Sequence, residues 1–315
     1  MLLKPMLQCL SPAGAAGRLS VLIFHRVLPE PDSLFPDEMH ARRFDGLCAW
    51  LAAWFNVLPL DQAALHLKAD TLPARAVCLT FDDGYADNYR VALPILQRHG
   101  LCATFFIATG FLDGGRMWND SIIESIRACQ RPVLDLSGLG LGRHPLADCK
   151  DRQAAIAALI DQIKYRPAPQ RVAMTEQIGL LAQVALPHDL MMTSNEVRAM
   201  HQAGMQIGAH TVSHPILTRL ADEQVQNEIQ ASKCFLEQLL DERVSLFAYP
   251  NGKPGEDYTR RDVDLVRSLD FDAAVSTKWG ASGGGDDLFQ IRRFTPWDTT
   301  RLRFGARMLA NLRSA

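Results

Sequence analysis

Short apolar runs, rich in β-branched and aromatic residues, alternate with longer amphipathic stretches along most of this chain. That alternation narrows the possible folds more than any other feature. An apolar run without a polar face suits a strand covered on both sides, whereas an amphipathic stretch suits a helix lying against a sheet. Strung in series, the two read as βα units around a parallel sheet. Candidate strands are Ser20 to Phe24, Val77 to Phe81, Ala103 to Ile107, Gln206 to Ala209, Ser245 to Tyr249, Phe271 to Val275 and Phe289 to Phe294. About seven strands is a barrel-like number, so the expected fold class is α/β, a distorted (β/α)7-type barrel. Phe44 to Phe55, Asp87 to His99, Ser194 to Ala203, Ala221 to Leu240 and Asp257 to Leu269 read as helices between the strands. Asp87 and Ser194 are the expected N-caps, and Gly100 and Gly204 the expected stops.

The stretch from Phe111 to Leu190 breaks the alternation. Helices are expected near Ser121 to Cys129, Arg152 to Ile163 and Pro169 to Val184, with loops and no convincing strand. It reads as a helical insertion, about residues 111–190, within a single domain spanning 1–315. Thr299 to Leu312 reads as a helix carrying Arg301, Arg303 and Arg307, packed on the barrel or, alternatively, touching an acidic membrane surface.

At 315 residues and 48% apolar content the chain can bury a large core, and a formal charge of -2 lacks the basic footprint of nucleic-acid binding. The seven cysteines include no Cys-x-x-Cys pair and read as reduced, packed thiols. Met1 to Ser20 makes a poor signal peptide and no transmembrane segment, which points to a cytoplasmic protein. Ala13-Gly14-Ala15 faintly resembles a cleavage site and leaves a periplasmic location open.

Chemistry enters where the run Ala76 to Phe81 meets Asp82, Asp83 and Gly84. Neighbouring side chains on extended backbone point opposite ways, so one aspartate can bind a cation while the other serves as a base. The alternative is a solvated turn. A second constellation, Gly208 to Pro215, holds His210 and His214 four residues apart after another apolar run, a spacing that lets both imidazoles converge on one ion. In a parallel barrel, strand C-terminal ends share one face. Two imidazoles and one carboxylate leave a coordination position open, the arrangement of a catalytic rather than a structural zinc site.

Thr80-Phe81-Asp82-Asp83-Gly84 followed by His210-Thr211-Val212-Ser213-His214 resembles the polysaccharide deacetylases of carbohydrate esterase family four, and Phe247 to Gly252 resembles their third motif. The resemblance covers most of the chain outside the 111–190 insertion. It implies Asp82 as general base, Asp83, His210 and His214 as ligands of a divalent metal, most simply Zn2+ with Co2+ or Ni2+ as substitutes, and the Asn251 backbone N–H as an oxyanion donor. Many members have an arginine that orients the catalytic aspartate where this chain has Ala248. Arg292 or Arg293 can replace it, with Arg293-Phe294 resembling an Arg-Ile of related chains; a surface ion pair is the other reading of each.

Most members also carry a catalytic histidine near the C-terminus, yet no histidine follows His214. His25, at the end of the Val21 to Phe24 run, matches a permuted branch that includes the poly-N-acetylglucosamine deacetylases, in which the strand bearing the acid comes first. The resemblance therefore implies His25 as general acid. His40, His66, His99, His144, His188 and His201 fall on helices or insertion loops and receive no role.

The expected activity is metal-dependent removal of N-acetyl groups from N-acetylhexosamine units. The expected partner is an acetylated amino-sugar polymer or glycolipid, such as a bacterial polysaccharide or its lipid-linked precursor. Trp118, Trp297 and Tyr85 are candidate platforms for sugar rings or else buried aromatics. An O-acetyl esterase and a noncatalytic carbohydrate-binding protein are the alternatives. Oligomeric state is open.

Overall fold

The apolar run ahead of the aspartate pair becomes an inner strand, as its lack of a polar face requires. The computed structural model describes residues 3–314, so Met1 and Leu2 of the N-terminal stretch lie outside the described residues. Its strands are β1 (Arg18–Phe24), β2 (Asn56–Val57), β3 (Ala76–Phe81), β4 (Thr104–Ile107), β5 (Val133–Asp135), β6 (Arg143–Pro145), β7 (Gln206–Ala209), β8 (Leu246–Ala248), β9 (Ala273–Val275) and β10 (Ser282–Gly283). The helices are α1 (Leu3–Leu10), α2 (Ala41–Trp54), α3 (Leu60–Lys68), α4 (Leu93–Arg98), α5 (Trp118–Ala128), α6 (Cys149–Ile163), α7 (Ala168–Ala182), α8 (Ser194–Gln202), α9 (Asp222–Leu240), α10 (Arg260–Ser268) and α11 (Arg301–Arg313). No helix of the described residues is long and apolar enough to cross a membrane.

The chain separates into two compact units, one gathering the residues up to Glu30, Met39–Leu112 and those from Met192 on, the other Pro31–Glu38 with Asp113–Met191. The first unit holds the main sheet in the order β10-β1-β3-β4-β7-β8-β9, with β2 beside β3. Its neighbours are parallel except β10 on β1. This is the curled sheet of a distorted α/β barrel, the fold class expected from the alternation.

One predicted strand is corrected. Phe289 to Phe294 forms a single tight helical turn, Leu288–Gln290, followed by isolated bridges of Ile291 to Val275 and of Phe294 to Leu22. Those bridges reach β9 on one side and β1 on the other, so a short irregular segment completes the wall.

Side-chain alternation divides the strands between two cores. Val77, Leu79 and Phe81 join the layer beneath the helices, and Cys78 joins Val21, Phe106, Ala248 and Val275 in a separate cluster. Asp82 continues the Cys78-Thr80 side of β3. Phe24, Phe81 and Phe105 stand in register on three adjacent strands, with ring centroids 5.1 and 4.6 Å apart. Such cross-strand aromatic pairs fix strand register, and this ladder lies one residue below the aspartates.

The second unit packs α5, α6 and α7 around Ile122, Ile126, Leu159, Ile163 and Ile178. It also contains a two-stranded antiparallel ribbon, β5 with β6, where no strand was expected. Pro132 precedes the ribbon, Pro145 is its last residue and Gly138, Gly140 and Gly142 fill its turn, a composition that reads as loop.

Candidate active site

Asp82 leaves β3 toward Arg293, which is fully buried. The guanidinium grips the carboxylate with both forks, Nη1 to Oδ1 and Nη2 to Oδ2 at 2.7 Å each, while Nε donates to the Ser276 carbonyl at 3.0 Å and Nη1 to Thr80 Oγ1 at 3.2 Å. Arg292, one residue earlier, faces Asp286 at 3.7 Å instead. Alternation on extended backbone thus separates the two candidates. Burial alone would raise the pKa of Asp82, but the charge of Arg293, helped by His210, outweighs it and holds the carboxyl below the usual carboxylate range.

Asp83 turns the other way on left-handed backbone, φ 78°. Its Oδ1 lies 3.5 Å from Nε2 of both His210 and His214. That is too long for a well-made hydrogen bond, and among the described residues the buried oxygen has no hydrogen-bond partner. Ligand atoms of Asp83, His210 and His214 all fall within 4.8 Å of one another. His210 donates from Nδ1 to the Ala248 carbonyl at 2.7 Å, which fixes the ring and turns Nε2 toward Asp83. Burial, with the nearby charge of His210, lowers the His214 pKa to about 4, so its imidazole is neutral at neutral pH.

An orphaned buried carboxylate oxygen and two converging imidazoles, that of His214 neutral, fit a divalent cation. The set is the nitrogen and oxygen chemistry that zinc, cobalt or nickel accept.

Several of these positions carry strain. Asp83, Thr211, His214 and Asn251 are all non-glycine residues at positive φ, between 51° and 78°. Such conformations persist where the surroundings over-determine them. For the histidine loop the clamp is visible: Thr109 and Gly110 N–H groups donate to Thr211 and Val212 carbonyls at 3.1 and 2.8 Å. A Cβ at Gly110 would sit 2.7 Å from the Val212 oxygen, so only glycine permits that approach. From α9, Glu228 accepts the Val212 N–H at 2.9 Å, the Ser213 N–H at 2.8 Å and the Ser213 hydroxyl at 2.6 Å.

Glu228 escaped the sequence reading, its one signal being a carboxylate next to the buried Val225–Ile229–Leu236 stripe of α9. Glu228→Ala is expected to weaken zinc binding about 10- to 100-fold, the usual cost of losing a partner that orients ligands, as read by calorimetric titration of the metal-free protein.

His25 follows β1 on the same rim. It is exposed, and it lies within electrostatic reach of Asp82, Asp83 and His214. Asn251, also exposed, follows β8 and is held through its carbonyl by Thr277 Oγ1 at 3.0 Å. Other histidines pair locally: His99 with Asp45, His201 with Glu242, and His144 with the Leu141 carbonyl. Of the aromatic candidates, Trp297 is 68% exposed, Tyr85 is buried beneath Arg26, and Trp118 lies in the second unit under Arg171.

Helix entries differ from expectation at two places. Thr193, not Ser194, caps α8, in a reciprocal box with Glu196. Asp87 heads a helical turn, but its carboxylate turns away to Arg26 and Val27.

The sequence matches the polysaccharide deacetylase family model over residues 69–131 and 152–274. The chain belongs to the polysaccharide deacetylase family. It is a hydrolase of that family. The matched stretches include Asp82, Asp83, His210, His214 and Asn251 but neither His25 nor Arg293.

A curated relative, YxkH of Bacillus subtilis (strain 168), is 20% identical over 279 residues, covering 88% of this chain and 71% of that protein. Among solved structures, IcaB from Ammonifex degensii shares 17% identity over 96% of this chain and 99% of its own, with a TM-score of 0.61. A deacetylase from Streptococcus pyogenes, PplD in complex with acetate, shares 19% identity over 88% and 92% of the two chains at a TM-score of 0.59. A de-N-acetylase from Aggregatibacter actinomycetemcomitans shares 17% identity over 92% and 99% at 0.59. At these identities the structures speak for the fold. For a family member, the split of one aspartate onto an arginine and its neighbour onto two histidines is the feature on which a reaction can be built.

Proposed function

We propose that this protein is a metal-dependent N-deacetylase of N-acetylhexosamine units in a bacterial polysaccharide or its lipid-linked precursor. The observation that carries the reading is the unequal treatment of the aspartate pair: Asp82 is gripped by Arg293, whereas Asp83 Oδ1 has no hydrogen-bond partner among the described residues and lies 3.5 Å from two imidazole nitrogens. Asp83, His210 and His214 would hold the ion. When bound, such an ion lowers the pKa of water to about 7 and polarises the acetamide carbonyl.

Asp82, kept ionised by Arg293, accepts a proton from the attacking water. The Asn251 N–H donates to the oxygen on which charge develops. As the C–N bond breaks, His25 gives its proton to the departing nitrogen. One water is consumed, and acetate and the free amino sugar are formed.

A chelated sample given an N-acetylglucosamine oligomer is expected to release no acetate until zinc, cobalt or nickel is restored, and Asp83→Ala is expected to stay inactive after restoration. Acetate release that survives chelation would overturn the metal assignment. Oligosaccharide binding without acetate release in the presence of all three ions would point to the noncatalytic alternative, and turnover of acetylated xylan alone to the esterase.

A further inference from the structure

We infer that Asp87 and Asn88 are positioning residues that hold His25 in register with Asp82, so that one loop fixes both ends of the proton path. The inference rests on the proposed acid role of His25. Among the described residues no side chain hydrogen-bonds the His25 imidazole, and its placement therefore depends on main chain.

That main chain is fixed residue by residue from the loop after β3. The Asp82 N–H donates to the Phe24 carbonyl at 2.9 Å. Asn88 Nδ2 donates to the His25 carbonyl at 2.9 Å and to Asp87 Oδ1 at 3.2 Å. Asp87 Oδ1 also accepts the Val27 N–H at 2.9 Å, and its Oδ2 accepts Arg26 Nε at 2.8 Å. The Arg26 guanidinium lies 4.8 Å over the Tyr85 ring. Asn88 is fully buried and Asp87 nearly so. Both contacts of Asn88 Nδ2 are acceptors, which sets the orientation of the amide.

The residues that follow the base and the ligand in sequence therefore grip the strand end that delivers the acid. Asn88 also begins a wide helical turn, Asn88–Ala92, a local widening that often marks functional positions. A burial role alone would not require two consecutive polar residues to address the carbonyl of one histidine and the N–H two residues beyond it.

The leaving group separates positioning from mere stability. An amide nitrogen needs a proton to depart, whereas the phenolate of 4-nitrophenyl acetate does not. Asn88→Ala and Asp87→Asn are to be compared with His25→Ala on an N-acetylglucosamine oligomer and on 4-nitrophenyl acetate, with zinc titrations of each. Both positioning variants are expected to lose about 10²-fold in kcat on the amide, the scale of a displacement near 1 Å, and to keep ester turnover and zinc binding. Equal losses on amide and ester would overturn the inference in favour of a purely structural role. Unchanged amide turnover in both variants, with His25→Ala impaired, would also overturn it. Unchanged amide turnover in His25→Ala would instead remove the acid assignment on which the inference rests.

Discussion

Asp82→Asn is expected to lower kcat for acetamide hydrolysis by about 10²- to 10⁴-fold, the usual contribution of a positioned base, while zinc remains bound. The asparagine keeps the volume of the side chain and one acceptor, but it cannot take a proton. Its amide NH2 must also face one fork of Arg293, where Nη1 and Nη2 now meet an acceptor each at 2.7 Å. The variant is therefore less stable as well as slow. For that reason kcat should be expressed per bound zinc and measured well below the melting transition. Asp83, His210 and His214 keep their contacts, so calorimetric zinc affinity should change little. Normal turnover in Asp82→Asn would sink the base assignment, and loss of zinc would show that the two aspartates do not divide their work.

That these two aspartates face different partners is legible in the sequence, because it follows from local rules. β3 has no polar face, Gly84 follows, and consecutive side chains must point apart. The His210–His214 spacing was legible for a similar reason, since both residues follow a strand end.

Arg293 was only half legible. Choosing it over Arg292 needs the phase of the segment, and that phase is set by bridges to β1 and β9 rather than by any periodicity of its own. The same irregularity explains why Phe289 to Phe294 resembled a full strand. Glu228 and the partners of Asp87 were not legible, because each acts on backbone groups distant in sequence. Glu228 reaches Val212 and Ser213 across 16 and 15 residues, and Asp87 reaches Val27 across 60. A helix-heading aspartate looks like an N-cap from its neighbours, and only the return of β1 to its side gives it other donors.

Arg293→Met is expected to destabilise the fold by about 3–5 kcal/mol, the cost of leaving one member of a buried ion pair uncompensated. Asp82 is 2% exposed and Arg293 0%, so water cannot replace the lost guanidinium. The Ser276 carbonyl and Thr80 Oγ1 lose a donor as well. Asp82→Leu with Arg293→Met should recover much of that loss, since replacing both partners by apolar groups removes the stranded charge.

The pH dependence gives a second handle, and its sign is fixed by the direction of the Asp82 shift. In the parent the folded carboxyl titrates below its ordinary value of 3.8, so its stabilising contribution is present above that value and is lost as pH falls through the folded pKa. Without Arg293 the remaining large influence is burial, which raises the folded pKa above the unfolded one. The native state of the variant then binds the proton more tightly than the unfolded chain does, and its stability rises as pH falls. Denaturant midpoints of the parent and Arg293→Met should therefore converge as pH is lowered from 7 toward 4. A gap that stays constant over that range, or a double variant no more stable than Arg293→Met, would mean that the pair does not hold Asp82 ionised and that the base is prepared in another way.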